Sequence, residues 1–151
     1  MNVLECVFCN RAAPLNEDAV IVNGDGWQVE IHDAAAVPGW YVLRTHRHIE
    51  NFGDLTEREA KNLGVMVRDL SAALVEGIGA THVYLLSMGE RVRHTHFLVA
   101  TRPTTAEPAA GLELLSRLQT LRDPDAAGAV AARLRSHLAA RESADRIGVQ
   151  P

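Results

Sequence analysis

The sequence predicts an α+β fold with five short strands, one long helix after the third strand, and further helices at the C-terminus. The first observation is a pair of β-rich segments, residues 19–22 and 27–31, around the turn signal Asn23-Gly24-Asp25-Gly26. The second is a change to helical spacing of apolar residues after Leu55. The third is a return to strand-like segments at residues 82–86 and 92–101.

Size and charge restrict the classes of protein that the chain can belong to. With 151 residues, 47% of them hydrophobic, it can build one compact domain but is short for two. We place the main domain at residues 1–103 and a helical extension, packed on the same domain, at 104–151. The net charge of -4 argues against a nucleic-acid partner. Since no apolar run reaches the roughly 20 residues of a membrane span, we expect a soluble, cytoplasmic protein.

Each element has its own local signals. Residues 40–43 form the third strand, after the turn Pro38-Gly39. Thr56 and Glu59 have the spacing of a capping box at the start of the long helix, and Gly77 and Gly79 end it. The apolar residues of that helix recur at helical spacing: Leu63, Met66, Val67, Leu70, Leu74 and Ile78.

The remainder of the chain is rich in alanine, leucine and arginine. Its leucines suit one short helix: Leu112, Leu115, Leu118 and Leu121. Asp123 before Pro124 is typical of an N-cap followed by a proline in the first helical position. We expect the second helix to bury Ala127, Val130, Ala131, Leu134 and Leu138.

Both cysteines stand together, as Cys6 and Cys9, so they cannot join distant parts of the fold. Their spacing suits either a metal half-site or a redox pair. A redox pair should follow a strand and open a helix, whereas this one lies at the N-terminus before a polar segment. A metal site fits better, and a tetrahedral zinc site would need two more ligands, preferably histidines.

A second group with chemical potential is His94 and His96, which the predicted last strand places on one face together with Leu98. Two such imidazoles lie roughly 6–7 Å apart. They could hold a metal, attack a phosphorus atom, or do one of each. Taken alone, the pair is equally typical of two histidines at a half-exposed strand edge.

Together these segments resemble the histidine triad family of nucleotide-binding hydrolases and transferases, over residues 6–103. The landmarks are Cys6-Val7-Phe8-Cys9, Ile31-His32-Asp33, Val37-Pro38-Gly39, Arg47-His48-Ile49-Glu50, the helix opened by Thr56, and residues 89–99. The resemblance implies that the five strands form one antiparallel sheet and that the protein is a homodimer.

The resemblance also implies a structural zinc ion held by Cys6, Cys9, His48 and His94. This is the two-sulfur, two-nitrogen set that the cysteines require. His46 could replace His48, because both project from the same loop.

By the same resemblance His96 is the catalytic nucleophile, which would form a nucleotidyl-histidine intermediate. Asp33 matches the acidic residue that accepts the ribose hydroxyls, although such a residue is also common at a strand end. Ile31 would line the base pocket, and Ser87 and Glu90 match positions that contact the nucleotide. The implied substrates are nucleoside phosphoramidates and dinucleoside polyphosphates.

The chain departs from the family pattern at the third histidine, which is Leu98 here. Leucine cannot bond to phosphate, and a carboxylate at Glu90, where many members have glutamine, would repel it. Arg91 and Arg93 could compensate, but strand alternation places them off the His96 face. Two functions therefore stay open: a nucleotide hydrolase or nucleotidyltransferase, and a catalytically weak, zinc-stabilised module that binds a nucleotide or a partner.

Overall fold

The computed structural model describes residues 5–10, 17–31, 36–102 and 111–147, with side chains up to residue 143. Its five strands form one antiparallel sheet in the order β1-β2-β3-β5-β4. The strands are β1 (Val20–Asn23), β2 (Trp27–Glu30), β3 (Trp40–Thr45), β4 (Val83–Leu86) and β5 (His96–Thr101). The helices are α1 (Glu57–Ile78), α2 (Glu113–Ser116), α3 (Leu118–Leu121) and α4 (Pro124–Ile147). The predicted fold class is confirmed.

Strands β1 and β2 form the predicted hairpin. The Gly24 N–H donates to the Trp27 carbonyl at 2.9 Å, which closes the turn. Side chains alternate along β2, so Trp27 and Val29 enter the main hydrophobic core while Gln28 and Glu30 point to the other face of the sheet. The second face is the one that carries His96, and we call it the His96 face.

The central strand β3 is buried along its whole length, because both faces of the sheet are covered. Tyr41 and Leu43 pack in the main core with residues of α1 and α4. On the other face, Trp40 packs with Leu114 of α2, and Val42 packs with the N-terminal segment.

Helix α1 has the predicted capping box. The Glu59 N–H donates to the Thr56 hydroxyl at 3.2 Å, and the Thr56 N–H donates to the Glu59 carboxylate at 2.8 Å. Gly79 ends the helix in the left-handed region, at φ 75°, which glycine adopts without steric cost. Gly77 lies inside the helix and does not end it.

The C-terminal helices differ from the prediction in one respect. The leucine-rich segment forms two short helices, α2 and α3, interrupted at Arg117. Helix α4 has the predicted N-cap, since the Asp123 carboxylate accepts a hydrogen bond from the Ala126 N–H at 3.0 Å. Ala131 and Leu134 of α4 are fully buried in the main core, so this helix forms part of the layer that covers the sheet.

The last strand starts later than predicted, at His96 instead of residue 92. The Thr95 N–H donates to the Ile49 carbonyl at 2.7 Å, outside the sheet ladder, so regular pairing with β3 begins only at His96. His94 therefore lies in the bend before β5, and its ring does not share a strand face with His96.

Within the described part of the chain, no helix has the length and apolar character needed to cross a membrane.

Candidate metal centre and active site

Four side chains from three distant segments converge at one end of the sheet. The donor atoms of Cys6, Cys9, His48 and His94 all lie within 4.8 Å of one another. The Nδ1 atom of His94 is 3.4 Å from the Cys6 sulfur and 3.5 Å from the Cys9 sulfur, and the Nδ1 atom of His48 is 3.4 Å from the Cys9 sulfur. This group could hold a metal ion.

The spacing of these donors fits a tetrahedral ion. Zinc bonds of about 2.3 Å to sulfur and about 2.0 Å to nitrogen, at tetrahedral angles, place those two atoms about 3.5 Å apart. The three sulfur–nitrogen distances agree with that value. Burial and the contact with Cys6 raise the pKa of the Cys9 thiol to about 11, so a bound cation would displace its proton.

His94 is fixed in the tautomer that binds a metal through Nδ1. Its Nε2–H donates to the Thr45 carbonyl at 2.9 Å, which leaves the lone pair of Nδ1 directed at the cysteines. The residue is 1% exposed, and burial lowers the pKa of its imidazole despite the bond to Thr45. A neutral ring with an oriented lone pair is the form that a metal requires.

The loop 46–50 supplies one of its two histidines to this group. His48 lies beside Cys9, and its Nε2 is 3.8 Å from the Glu50 carboxylate. His46, the alternative ligand, is exposed and belongs to no group of metal donors among the described residues.

His96 opens β5 with its ring oriented by the backbone. Its Nδ1–H donates to the His94 carbonyl at 2.5 Å. A carbonyl oxygen only accepts hydrogen bonds, so Nδ1 carries a proton, and in the neutral form of the ring the lone pair lies on Nε2. Ser87 supports the start of the strand, because its hydroxyl donates to the His96 carbonyl at 3.0 Å. The half-buried His96 ring is thus held in one orientation by the backbone of His94.

A buried polar network lies next to His96, and the sequence analysis missed it. Arg44 of β3 pairs directly with His96 of β5. The Arg44 Nε–H donates to the Glu30 carboxylate at 3.1 Å, and the Gln28 amide donates to the same oxygen at 2.7 Å. The signal was present, because residues 28, 30 and 44 fall on one face of two neighbouring strands.

Comparison with known proteins shows what this chain is similar to. No family model matches the chain. In sequence it is 26% identical over 97 residues to an uncharacterised HIT-like protein of Saccharolobus solfataricus, which covers 61% of this chain and 70% of that protein. In sequence the chain thus resembles a HIT-like protein. The sequence resemblance to the histidine triad (HIT) family is thereby confirmed.

Solved structures share the HIT-like fold along nearly the whole chain. A Zn-bound histidine triad family protein from Mycobacterium smegmatis matches with a TM-score of 0.68 at 20% identity, covering 95% of this chain and 99% of that one. A diadenosine triphosphate hydrolase of Plasmodium falciparum, solved with cyclomarin A, matches with a TM-score of 0.63 at 13% identity, covering 93% and 96%. The match extends through the C-terminal helices.

The residues predicted to contact a nucleotide in this HIT-like chain lie in different surroundings. Asp33 lies outside the described residues. Ser87 is exposed next to the His96 backbone, and Glu90 is exposed on the loop that precedes β5. Ile31 packs against the main core, on the side of the sheet opposite to His96, and borders a cleft of about 300 Å³ beside the start of α4. Its contact with a base stays a prediction.

Leu98, at the third position of the HIT-like motif, has an apolar environment. It lies on the His96 face opposite Val42 of β3 and Leu86 of β4. It packs against the cluster that contains Trp40 and Leu114. The substitution therefore extends an apolar cluster and provides no donor for a phosphate.

Proposed function

We propose that this HIT-like chain is a nucleotide hydrolase or nucleotidyltransferase. It acts at the α-phosphorus of a nucleoside phosphoramidate, a dinucleoside polyphosphate or a related nucleotide, through a nucleotidyl-His96 intermediate. The observation that carries the proposal is the hydrogen bond from His96 Nδ1–H to the His94 carbonyl. It makes Nε2 the nitrogen that carries the lone pair when the ring is neutral, and a neutral imidazole is the form that attacks phosphorus.

The reaction has two steps. In the first, Nε2 of His96 forms a bond to the α-phosphorus while the bond from phosphorus to the leaving oxygen or nitrogen breaks, and the leaving group takes up a proton from solvent. In the second, water or an acceptor hydroxyl attacks the same phosphorus and loses its proton, and the phosphorus–nitrogen bond breaks. Because Nδ1 keeps its bond to the His94 carbonyl throughout, the ring stays oriented for both steps.

The zinc ion belongs to the same proposal. Cys6, Cys9, His48 and His94 would hold it, and its role would be structural, since four protein ligands leave no open position for a substrate. The ion would fix His94, whose carbonyl orients His96. That chain of contacts supports a role for the metal in positioning the nucleophile.

Asp33 is proposed to accept hydrogen bonds from the ribose hydroxyls, and Ser87, Glu90 and Ile31 to contact the nucleotide. A carboxylate accepts two hydroxyls well. The exposed Glu90 would turn away from the phosphate to avoid repulsion.

A catalytically weak nucleotide- or partner-binding module is the second candidate. One observation favours it. Leu98 packs into an apolar cluster, so the third motif position cannot donate a hydrogen bond to a phosphate. This candidate keeps the fold and the metal but predicts no covalent intermediate.

The test that separates the two candidates is the covalent intermediate. The protein is incubated with adenosine and guanosine phosphoramidates and with dinucleoside polyphosphates, quenched, and measured by intact mass. We expect a nucleotidyl increment on the wild type and none on His96→Ala. The matched control is His82→Ala, an exposed histidine just before β4, which should retain the increment. Nucleotide binding without adduct or turnover on any substrate would favour the binding module.

A further inference from the structure

We propose that Arg44 supplies the phosphate contact that this chain lacks at the third position of the triad motif. The inference rests on the proposed function, which it deepens by assigning a residue to the phosphate at His96. It starts from a deficit: neither the leucine at position 98 nor the carboxylate at position 90 can donate a hydrogen bond to a phosphate oxygen. A donor has to come from another element.

Arg44 is the cationic side chain placed directly opposite the nucleophile. Arg44 and His96 are partners in the β3–β5 register, and residues directly opposite in an antiparallel pair have Cβ atoms about 4.5–5.5 Å apart on the same face. Phe8 contacts both side chains, with its ring centroid 5.2 Å from that of His96 and 5.7 Å from the guanidinium carbon of Arg44. The guanidinium and the imidazole therefore lie side by side on one face of the sheet and contact the same aromatic ring.

The guanidinium is held rigidly by two of its three nitrogens. Nε–H donates to the fully buried Glu30 at 3.1 Å, and Nη1–H donates to the Thr45 carbonyl at 3.3 Å. Gln28 in turn fixes the Glu30 carboxylate. An arginine anchored in this way offers its remaining N–H groups without further loss of side-chain freedom.

The third nitrogen, Nη2, remains available to a ligand. Among the described residues Nη2 makes no hydrogen bond, since the bonds of this side chain come from Nε and Nη1. The side chain as a whole is 11% exposed. Planar guanidinium N–H groups match the geometry of phosphate oxygens, and the ion pair with Glu30 keeps the positive charge tolerable in a buried site.

Other arginines near the motif are less suited to this task. The Arg93 side chain is 63% exposed, and its Nη1 lies 3.6 Å from the Glu50 carboxylate. Arg91 is exposed on the loop before β5. Charge at these two positions is screened by solvent, whereas the Arg44 guanidinium lies in the site.

The experiment compares AMP with adenosine, because the two probes differ only by the phosphate. Dissociation constants are measured by calorimetry for the wild type, for Arg44→Lys, and for the double variant Arg44→Gln with Glu30→Gln. The second change in the double variant removes the buried carboxylate that would otherwise lose its partner. The control is Arg93→Gln. Circular dichroism and thermal melts verify the fold of each variant.

We expect the wild type to bind AMP about tenfold or more tightly than adenosine, since one charge-assisted hydrogen bond corresponds to at least that factor. The double variant should lose most of this preference while its affinity for adenosine is retained. Arg44→Lys should show an intermediate preference, and Arg93→Gln should match the wild type.

Three results would overturn the inference. A folded double variant that still prefers AMP by the wild-type factor would show that the phosphate is bound elsewhere. Equal affinities of the wild type for AMP and adenosine would show that the protein binds a nucleoside but that no side chain contacts its phosphate. If neither AMP nor adenosine binds, GMP is measured in the same way, and absence of binding for all three would instead reject the proposed function on which the inference rests.

Discussion

The ring of Phe8 meets the ring of His96 edge to face, with centroids 5.2 Å apart. Phe8 stands between the two cysteines of the metal group, and its ring is also 5.3 Å from that of His94. The N-terminal segment therefore contributes two things to the site, sulfur ligands for a metal and an aromatic side chain against the proposed nucleophile. A metal ion bound by the two cysteines would therefore also fix the position of the Phe8 ring.

The first prediction is that Phe8 positions His96. Phe8→Ala should destabilise the protein by about 3 kcal/mol, because it removes a buried ring from a packed cluster. Phe8→Leu keeps most of the volume and should cost less than about 1.5 kcal/mol, yet slow adduct formation about tenfold by loosening the imidazole. Unfolding in urea and intact-mass time courses measure the two effects.

Val7→Ala is the control for Phe8, since Val7 belongs to the same segment but is 55% exposed. It should change neither stability nor rate beyond measurement error. A Phe8→Leu variant with the wild-type rate of adduct formation would show that the ring contact has no role in catalysis.

The second prediction concerns the metal. Elemental analysis should find one zinc ion per chain, and a chelator should lower the melting temperature by more than about 10 °C, because binding at a four-ligand site contributes directly to folding. Cys9→Ser and His48→Ala should each lose the ion. His46→Ala tests the alternative ligand and should keep it, because His46 is exposed and lies outside the donor group. A purified protein that contains no metal, and whose melting temperature does not change when the chelator is added, would contradict the zinc site.

The third prediction is a homodimer formed by α1 and β4. Strand β4 is an edge strand of the sheet, and Leu85 on it and Val75 on α1 are 40% and 50% exposed. An isologous contact would cover both. Light scattering should give a dimer at micromolar concentration, and Leu85→Lys should raise its dissociation constant at least about tenfold by burying a charge.

Leu112→Lys is the matched control for the dimer, because Leu112 is 67% exposed and lies next to α2, which packs on the face of the sheet opposite to α1. It should leave the association unchanged. A wild-type monomer at micromolar concentration would reject the dimer, and equal effects of the two substitutions would point to a different interface.

The parts of the structure that were predictable from sequence are those that depend on near neighbours. The hairpin at Gly24, the capping box of Thr56 and the N-cap of Asp123 each rest on residues within a few positions of one another, and each was confirmed. The division of the leucine-rich segment at Arg117 was not predictable, since leucine spacing alone does not show where the backbone leaves the helix.

The site was harder to predict, because it is formed by residues that are far apart in sequence. The resemblance named Cys6 and His94, which are 88 positions apart in sequence, but spacing alone could not show that their donors meet. The strand pattern also placed His94 on β5, whereas the bond from the Thr95 N–H to the Ile49 carbonyl delays the strand. Glu30 was overlooked for a related reason. A charged residue in a strand is usually solvent-exposed, and its burial here depends on the partner strand that carries Arg44.

The last prediction concerns the acid stability that Glu59 provides. Two hydrogen bonds from Arg47, at 3.0 and 2.8 Å, lower the pKa of this carboxyl to about 2, and the bonds from Thr56 add to the effect of Arg47. A carboxyl whose pKa is lower in the folded state stabilises the fold above its unfolded pKa, near 4.5, and loses that contribution as the pH falls toward 2. Glu59→Gln should therefore be less stable than the wild type at pH 7, by about 1 kcal/mol for the damaged capping box, and this difference should shrink between pH 4.5 and pH 2. Urea unfolding across that range measures this difference.

Glu57→Gln is the control, because it replaces an exposed carboxylate in the same helical turn. It should stay within about 0.5 kcal/mol of the wild type at pH 7. A difference between Glu59→Gln and the wild type that is constant from pH 7 to pH 2 would mean that the ionised carboxylate does not stabilise the folded state.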